Sequence, residues 1–123
     1  MFSVEWARAL DPAFGLPTDI IFTVIKESDG YVHFEEGNIS AHKYLLALVS
    51  PVFKELFFGR QRLTGNILTI RGTSVEAVSL MIDHIYQKKI DWLEKTVKIM
   101  VEVMALADDY GLQWLLEELH LYW

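Results

Sequence analysis

From Asp19 the chain reads Ile20-Ile21-Phe22-Thr23-Val24-Ile25, a run of strand length rich in β-branched residues. It is apolar at both parities, which predicts a strand covered on both faces. Ser28-Asp29-Gly30 is a turn signal, so Tyr31 to Phe34 reads as the returning strand of a hairpin. Glu35-Glu36-Gly37-Asn38 then reads as a solvated loop, with Ile39 as the last extended residue. Upstream, Val4, Trp6, Ala7, Leu10 and Phe14 recur at helical spacing, but Pro12, Gly15 and Pro17 cut that helix short. Residues 1–18 are therefore expected to be a short apolar arm that docks on something, and 19–123 the folded domain.

Helices are predicted from Ser40 onward. Ser40 is positioned to cap a helix over 41–49, whose apolar face is Leu45, Leu46 and Val49. Ser50-Pro51 begins a second one, since serine at the cap and proline at the first helical position suit the free amides there. Its buried side is Val52, Phe53, Leu56 and Phe57, and Gly59 ends it. A polar loop over 60–66 leads to the short strand Ile67 to Ile70, ended by Gly72. Thr73-x-x-Glu76 reads as a capping box ahead of a helix with Val78, Met81, Ile82 and Ile85 on one side, and Lys88-Lys89 suit its negative end. After a short connector over 90–94, Thr96 leads a helix from Val97 to Tyr110 that is apolar nearly all round, as in the middle of a bundle. Gly111 caps it, and Leu112, Leu115, Leu116 and Leu119 form the inner stripe of a last helix. The order is hairpin, two helices, strand and three helices, which makes a small α/β domain with a helical layer carrying most of the mass.

Composition adds a constraint that the pattern does not. Of 123 residues, 52% are hydrophobic with glycine left out of the count, against about 45–50% in average usage with glycine included. A domain of this size buries only about two thirds of its unfolded surface, so some apolar surface needs cover from outside. No stretch reaches the ~18 uninterrupted apolar residues of a membrane span. The net charge of −6 repels phosphate backbones and argues against nucleic acid as a partner of this domain. With no cysteine, disulfides, thiolate metal sites and cysteine nucleophiles are excluded. Residues 1–14 carry Glu5, Arg8 and Asp11 without the apolar core of a secretory leader, so a reducing intracellular setting, cytoplasmic or nuclear, is expected.

Chemistry-bearing constellations are sparse. His33, His42, His84 and His120 fall on separate predicted elements, and H-E-x-x-H, G-x-S-x-G and G-x-x-x-x-G-K are all missing. No catalytic, cofactor-binding or metal-ligating residue is expected. Asp108-Asp109 and Glu117-Glu118 read as solvated helix faces, because adjacent helical residues point about 100° apart.

Ser40 to Phe58, SAHKYLLALVSPVFKELFF, resembles the signature of the BTB/POZ domain, whose members commonly read A-H-K, three or four residues, A, then S-P-x-F. The likeness continues through NILTI, IDHIY and VMALADDYGLQWL in the family's order, from about Asp19 to the C-terminus. The resemblance implies a small β-sheet flanked by a cluster of about five to six α-helices, no catalytic centre, and a role as a protein interaction module. His42, within A-H-K, is expected to pack on the sheet and bond to backbone. Homodimerisation is implied as the leading function, with the arm residues Trp6, Leu10 and Phe14 and the charged residues Asp19 and Lys43 at the interface. Asp19 and Lys43 line a polar pocket at that interface in dimeric members, or else form an ordinary surface salt bridge.

The alternative is an adaptor that recruits a cullin, with Phe57, Arg60, Arg62, Leu63 and Tyr86 as its contact surface. The segment Lys26 to Asn38 is longer and more acidic than the family's usual connection. Cullin-binding members often carry a hydrophobic-x-Glu motif after the second helix. Gly59 to Asn66 has instead two arginines and no acidic residue, which disfavours that partner surface. Trp114, Leu121, Tyr122 and Trp123 exceed what a last helix needs for its inner face. They mark either a surface covered by further chain or an interface.

Overall fold

The computed structural model describes residues 17–28 and 32–122. Three strands form one sheet in the order β2-β1-β3, where β1 is Ile20–Ser28, β2 is Val32–Ala41 and β3 is Ile67–Arg71. β1 pairs antiparallel with β2 and parallel with β3. Among the described residues there are five α-helices: α1 (Lys43–Val49), α2 (Pro51–Phe58), α3 (Val75–Ile85), α4 (Val97–Asp109) and α5 (Gln113–His120), with a 3-10 turn at Trp92–Glu94.

The central strand is dry on one face only. Ile20, Phe22 and Val24 are fully buried, whereas Ile21 is exposed and Thr23 and Ile25 are half-buried. This corrects the expectation of cover on both faces. Glu35 to Asn38 is also not a loop: β2 runs on through it, with Val24 opposite Gly37 and Ile25 opposite Glu35, so Glu36 is the extra residue of a bulge. Pairing with β1 satisfies this backbone whatever its polarity. Gly37 serves a close approach, since a Cβ there would lie 2.7 Å from Val75 Cγ2 at the start of α3.

Ser40 stays in the sheet opposite Ile21, and α1 begins three residues later, with His42 at the cap position. The free amide of Lys43 is met instead by Asp19 Oδ1 at 2.8 Å, a cap supplied from the start of β1. Ser50 caps α2 as expected, accepting from the Phe53 amide, and its hydroxyl also donates to the carbonyl of Tyr110 at the end of α4. Ser50 is buried, as are Phe53 and Phe57, but Val52 is exposed and does not join the inner side of α2. Phe53 is the hub of an aromatic cluster, edge-on to Phe22 at 5.9 Å and stacked on Tyr110 at 4.4 Å.

α3 starts one residue later than the capping box predicts. Ser74, not Thr73, accepts from the Ala77 amide, and the returning carboxylate is Glu102 of α4, 2.6 Å from Ser74 Oγ. Glu76 faces Lys95 at 3.6 Å instead. Val78, Met81, Ile82 and Ile85 are buried as the periodicity requires. Trp92, in the segment read as a connector, is the largest fully buried side chain among the described residues. Thr96 caps α4, with Met100, Val103, Leu106 and Ala107 inside, but Val97 is 70% and Val101 49% exposed. The helix is therefore apolar on both sides and covered on one. Gly111, at φ +64, makes the left-handed turn into α5, which buries Leu112, Leu115 and Leu119.

Candidate interaction surface

Around the start of α1 three partners converge from distant parts of the chain. Asp19 accepts from the Lys43 amide, Lys43 Nζ donates to the Gly65 carbonyl at 3.3 Å, and the Tyr86 hydroxyl accepts from the His42 amide at 2.9 Å. The same hydroxyl lies 2.5 Å from His42 Nδ1. Burial, joined by the negative charge of Asp19 and opposed by the His42 amide bond, pushes the Tyr86 phenol up to about 12. At neutral pH it therefore keeps its proton, and the hydroxyl and the imidazole Nδ1 share a hydrogen bond. His42 is thus tied to a tyrosine 44 residues away, a partner that its place in A-H-K does not announce. Asp19 and Lys43 meet as predicted, but carboxylate to backbone, so the surface salt-bridge reading does not hold.

Beyond this anchored end, the outer side of α1 is apolar and open. Tyr44 is 65% and Leu48 47% exposed, one turn apart and opposite the buried Leu45 and Leu46. Leu48 continues into a groove of about 370 Å³ shared with Val49, Ile85, Leu112 and Trp114. Trp114, on α5, is 54% exposed, and Val52 packs by Gly111 at the same corner. Tyr44 and Leu48 escape a reading that looks for the inner stripe alone, although their i, i+4 spacing is itself visible in the sequence.

The other predicted site residues separate by burial. Trp6, Leu10, Phe14 and Trp123 lie outside the described residues. Leu121 is 81% exposed and Tyr122 is also exposed, so with Trp114 the end of the domain does present apolar surface. Phe57 is buried in the core, Leu63 packs against it and Tyr86 is held by His42, so of the residues predicted to meet a cullin only Arg60 and Arg62 are exposed. Glu118 is more than a solvated carboxylate: although its side chain is 39% exposed, it accepts from Trp92 Nε1 at 2.5 Å and faces His84 Nε2 at 3.4 Å, tying α5 to α3 and the 3-10 turn. Burial and the charge of Asp109 raise the Tyr110 phenol. Among the described residues, no cluster of three His, Asp or Glu side chains is arranged to hold a metal ion.

This arrangement has known counterparts. The solved BTB domain of zebrafish PATZ1 superposes with a TM-score of 0.66 at 22% identity, the match covering 98% of this chain and 93% of that one, which establishes a shared fold. The family model for the BTB/POZ domain matches residues 22–122, nearly the whole of the sheet and helical cluster described above. The chain accordingly belongs to the BTB/POZ domain family, whose domains generally act as protein–protein interaction modules.

Proposed function

We propose that the domain works as a self-associating adaptor, with a second copy covering the outer face of α1. The observation that carries this is the exposed Tyr44–Leu48 pair, continuous through the groove with Trp114. Large aromatic and aliphatic side chains clustered on one face are the usual anchors of an interface, and a symmetric contact of about 800 Å² per partner would cover them. A two-fold axis lets the same patch serve both copies, and brings together whatever each copy carries. Trp6, Leu10 and Phe14 are further candidates for that contact, and deletion of residues 1–16 reports their share.

Sedimentation velocity up to about 100 μM tests the reading. The expected result is a dimer for the wild type and a folded monomer for Tyr44→Gln/Leu48→Gln. A wild type that stays monomeric, or a double variant that still dimerises as tightly, would overturn it. Cullin recruitment is the competing adaptor role. Its partner surface has lost the acidic motif and gained two arginines, so pull-down with a cullin N-terminal region is expected to fail.

A further inference from the structure

Next to the α1 face, the loop between α2 and β3 frames a second concavity of about 360 Å³. Its floor is Phe57, its walls are Phe58, which is 53% exposed, and Leu63, and its rim carries Lys43 and Arg62. Arg60 stands two residues away in the same loop and is also exposed. The rim is held in place at four points. Leu63 donates to the Leu56 carbonyl at 2.7 Å, Ile21 to Asn66 at 2.8 Å, Lys43 to Gly65 at 3.3 Å and Arg62 to Gly59 at 3.4 Å. Gly65, at φ +87, makes the turn that a residue with a side chain would strain.

Charge separates this place from the rest of the molecule. In a domain of net charge −6, three cations gather here and none forms an ion pair with a described carboxylate. Of the acids close by, Asp19 is engaged on the Lys43 amide, and the Glu55 carboxylate lies against Gly59 at the edge of the loop without an ion pair to either arginine. Lys43 Nζ sits 6.0 Å above the Phe57 ring. Cationic groups around an apolar cup complement a carboxylate beside a leucine or phenylalanine side chain. We propose that this concavity binds an acidic, leucine- or phenylalanine-bearing peptide segment of a partner protein, with the carboxylates on Arg60, Arg62 and Lys43 and the apolar side chain between Phe58 and Leu63. A volume at the low end of the ~300–1,000 Å³ typical of ligand pockets admits one such side chain. A long polyanion is a poorer fit, because the remaining surface repels it.

The site goes beyond self-association and does not depend on it. Fluorescence anisotropy with a panel of labelled dodecapeptides alternating glutamate with leucine, phenylalanine or tryptophan tests it on the whole chain. At least one peptide is expected to bind, to weaken about tenfold when its glutamates become glutamines, and to weaken about tenfold on Arg60→Glu/Arg62→Glu. The control Lys89→Glu/Lys98→Glu changes net charge equally at exposed positions elsewhere and should leave binding unchanged. The arginine variant should still dimerise and Tyr44→Gln/Leu48→Gln should still bind peptide, so loss of either activity alone identifies which reading has failed. No binding by any peptide below about 1 mM, equal loss in the lysine control, equal binding of a single-stranded DNA 12-mer, or displacement of peptide by unlabelled domain would each overturn the proposal.

Discussion

Ser50→Ala separates two jobs that one hydroxyl performs. Ser50 accepts from the Phe53 amide at 3.0 Å as the cap of α2, and donates at 2.5 Å to the carbonyl of Tyr110, 60 residues on. That carbonyl stands at the end of α4, where helix carbonyls have no partner within the helix. Losing the cap costs about 1 kcal/mol. Stranding the carbonyl in a part-buried position costs about 1–3 kcal/mol more. The sum is about 2–4 kcal/mol, or a fall in Tm near 10 °C for a domain of this size. Thr96→Ala supplies the comparison, because Thr96 only caps α4, accepting from the Ile99 amide at an exposed site. It should cost about 1 kcal/mol, a fall of about 3–5 °C. Urea and thermal unfolding at one fixed protein concentration read both, since self-association makes Tm depend on concentration. Equal losses in the two variants would refute the reasoning, for then the link to Tyr110 contributes nothing.

Four further outcomes follow from other contacts. The Tyr86 phenol titrates near 10 when unfolded but at about 12 when folded. Its contribution is thus fully present below pH 10 and is lost between pH 10 and 12, by about 1–2 kcal/mol after allowance for water screening. Tyr86→Phe should flatten that part of the urea-midpoint profile against pH, and an unchanged slope would count against it. Gly111→Ala should cost about 1 kcal/mol from its left-handed backbone alone, because the new methyl meets Pro51 at an ordinary 3.6 Å. Gly37→Ala should cost more in the same thermal assay, because its methyl meets Val75 Cγ2 at 2.7 Å. Trp92→Phe removes the indole donor from Glu118 and part of a fully buried ring, and should lower the urea midpoint by the equivalent of about 2–3 kcal/mol. A loss below about 1 kcal/mol would show that the bond to the carboxylate is negligible.

What periodicity can report is which side of an element stays dry, and it does so well for α3, whose stripe is buried residue for residue, and for α5, where Leu116 alone of its stripe is only partly buried. It fails where a distant partner decides. Glu35 to Asn38 has loop composition, yet β1 offers it a complete ladder. Thr73 and Ser74 are equally good caps by chemistry, and Glu102, 28 residues beyond Ser74, selects Ser74. Thr73 Oγ1 is left buried without a described partner. Within the candidate surface the meeting of Asp19 with Lys43 was legible through the family signature, but its form was not, because a cap from another strand leaves no local pattern. Trp92 has no local signal either: a five-residue connector, Ile90-Asp91-Trp92-Leu93-Glu94, is too short to show a period that would mark one of its apolar residues as core.

The apolar surplus itself marks where sequence pattern and structure must part. A pattern of apolar positions records every surface that has to leave water, whether the cover comes from the same chain or another. α1 has two such sides on seven residues: Leu45 and Leu46 turn into the core, and Tyr44 and Leu48 turn out. α4 repeats the arrangement, with Val97 and Val101 outside. The two outer faces differ in what surrounds them. That of α1 adjoins a groove and an anchored polar end where Asp19, Lys43, His42 and Tyr86 fix the start of the helix. Fixed polar groups beside an apolar patch set the register of a contact and penalise wrong partners, which an apolar face alone cannot do. That pairing of patch with polar reference points is the physical reason to assign self-association to α1 ahead of α4.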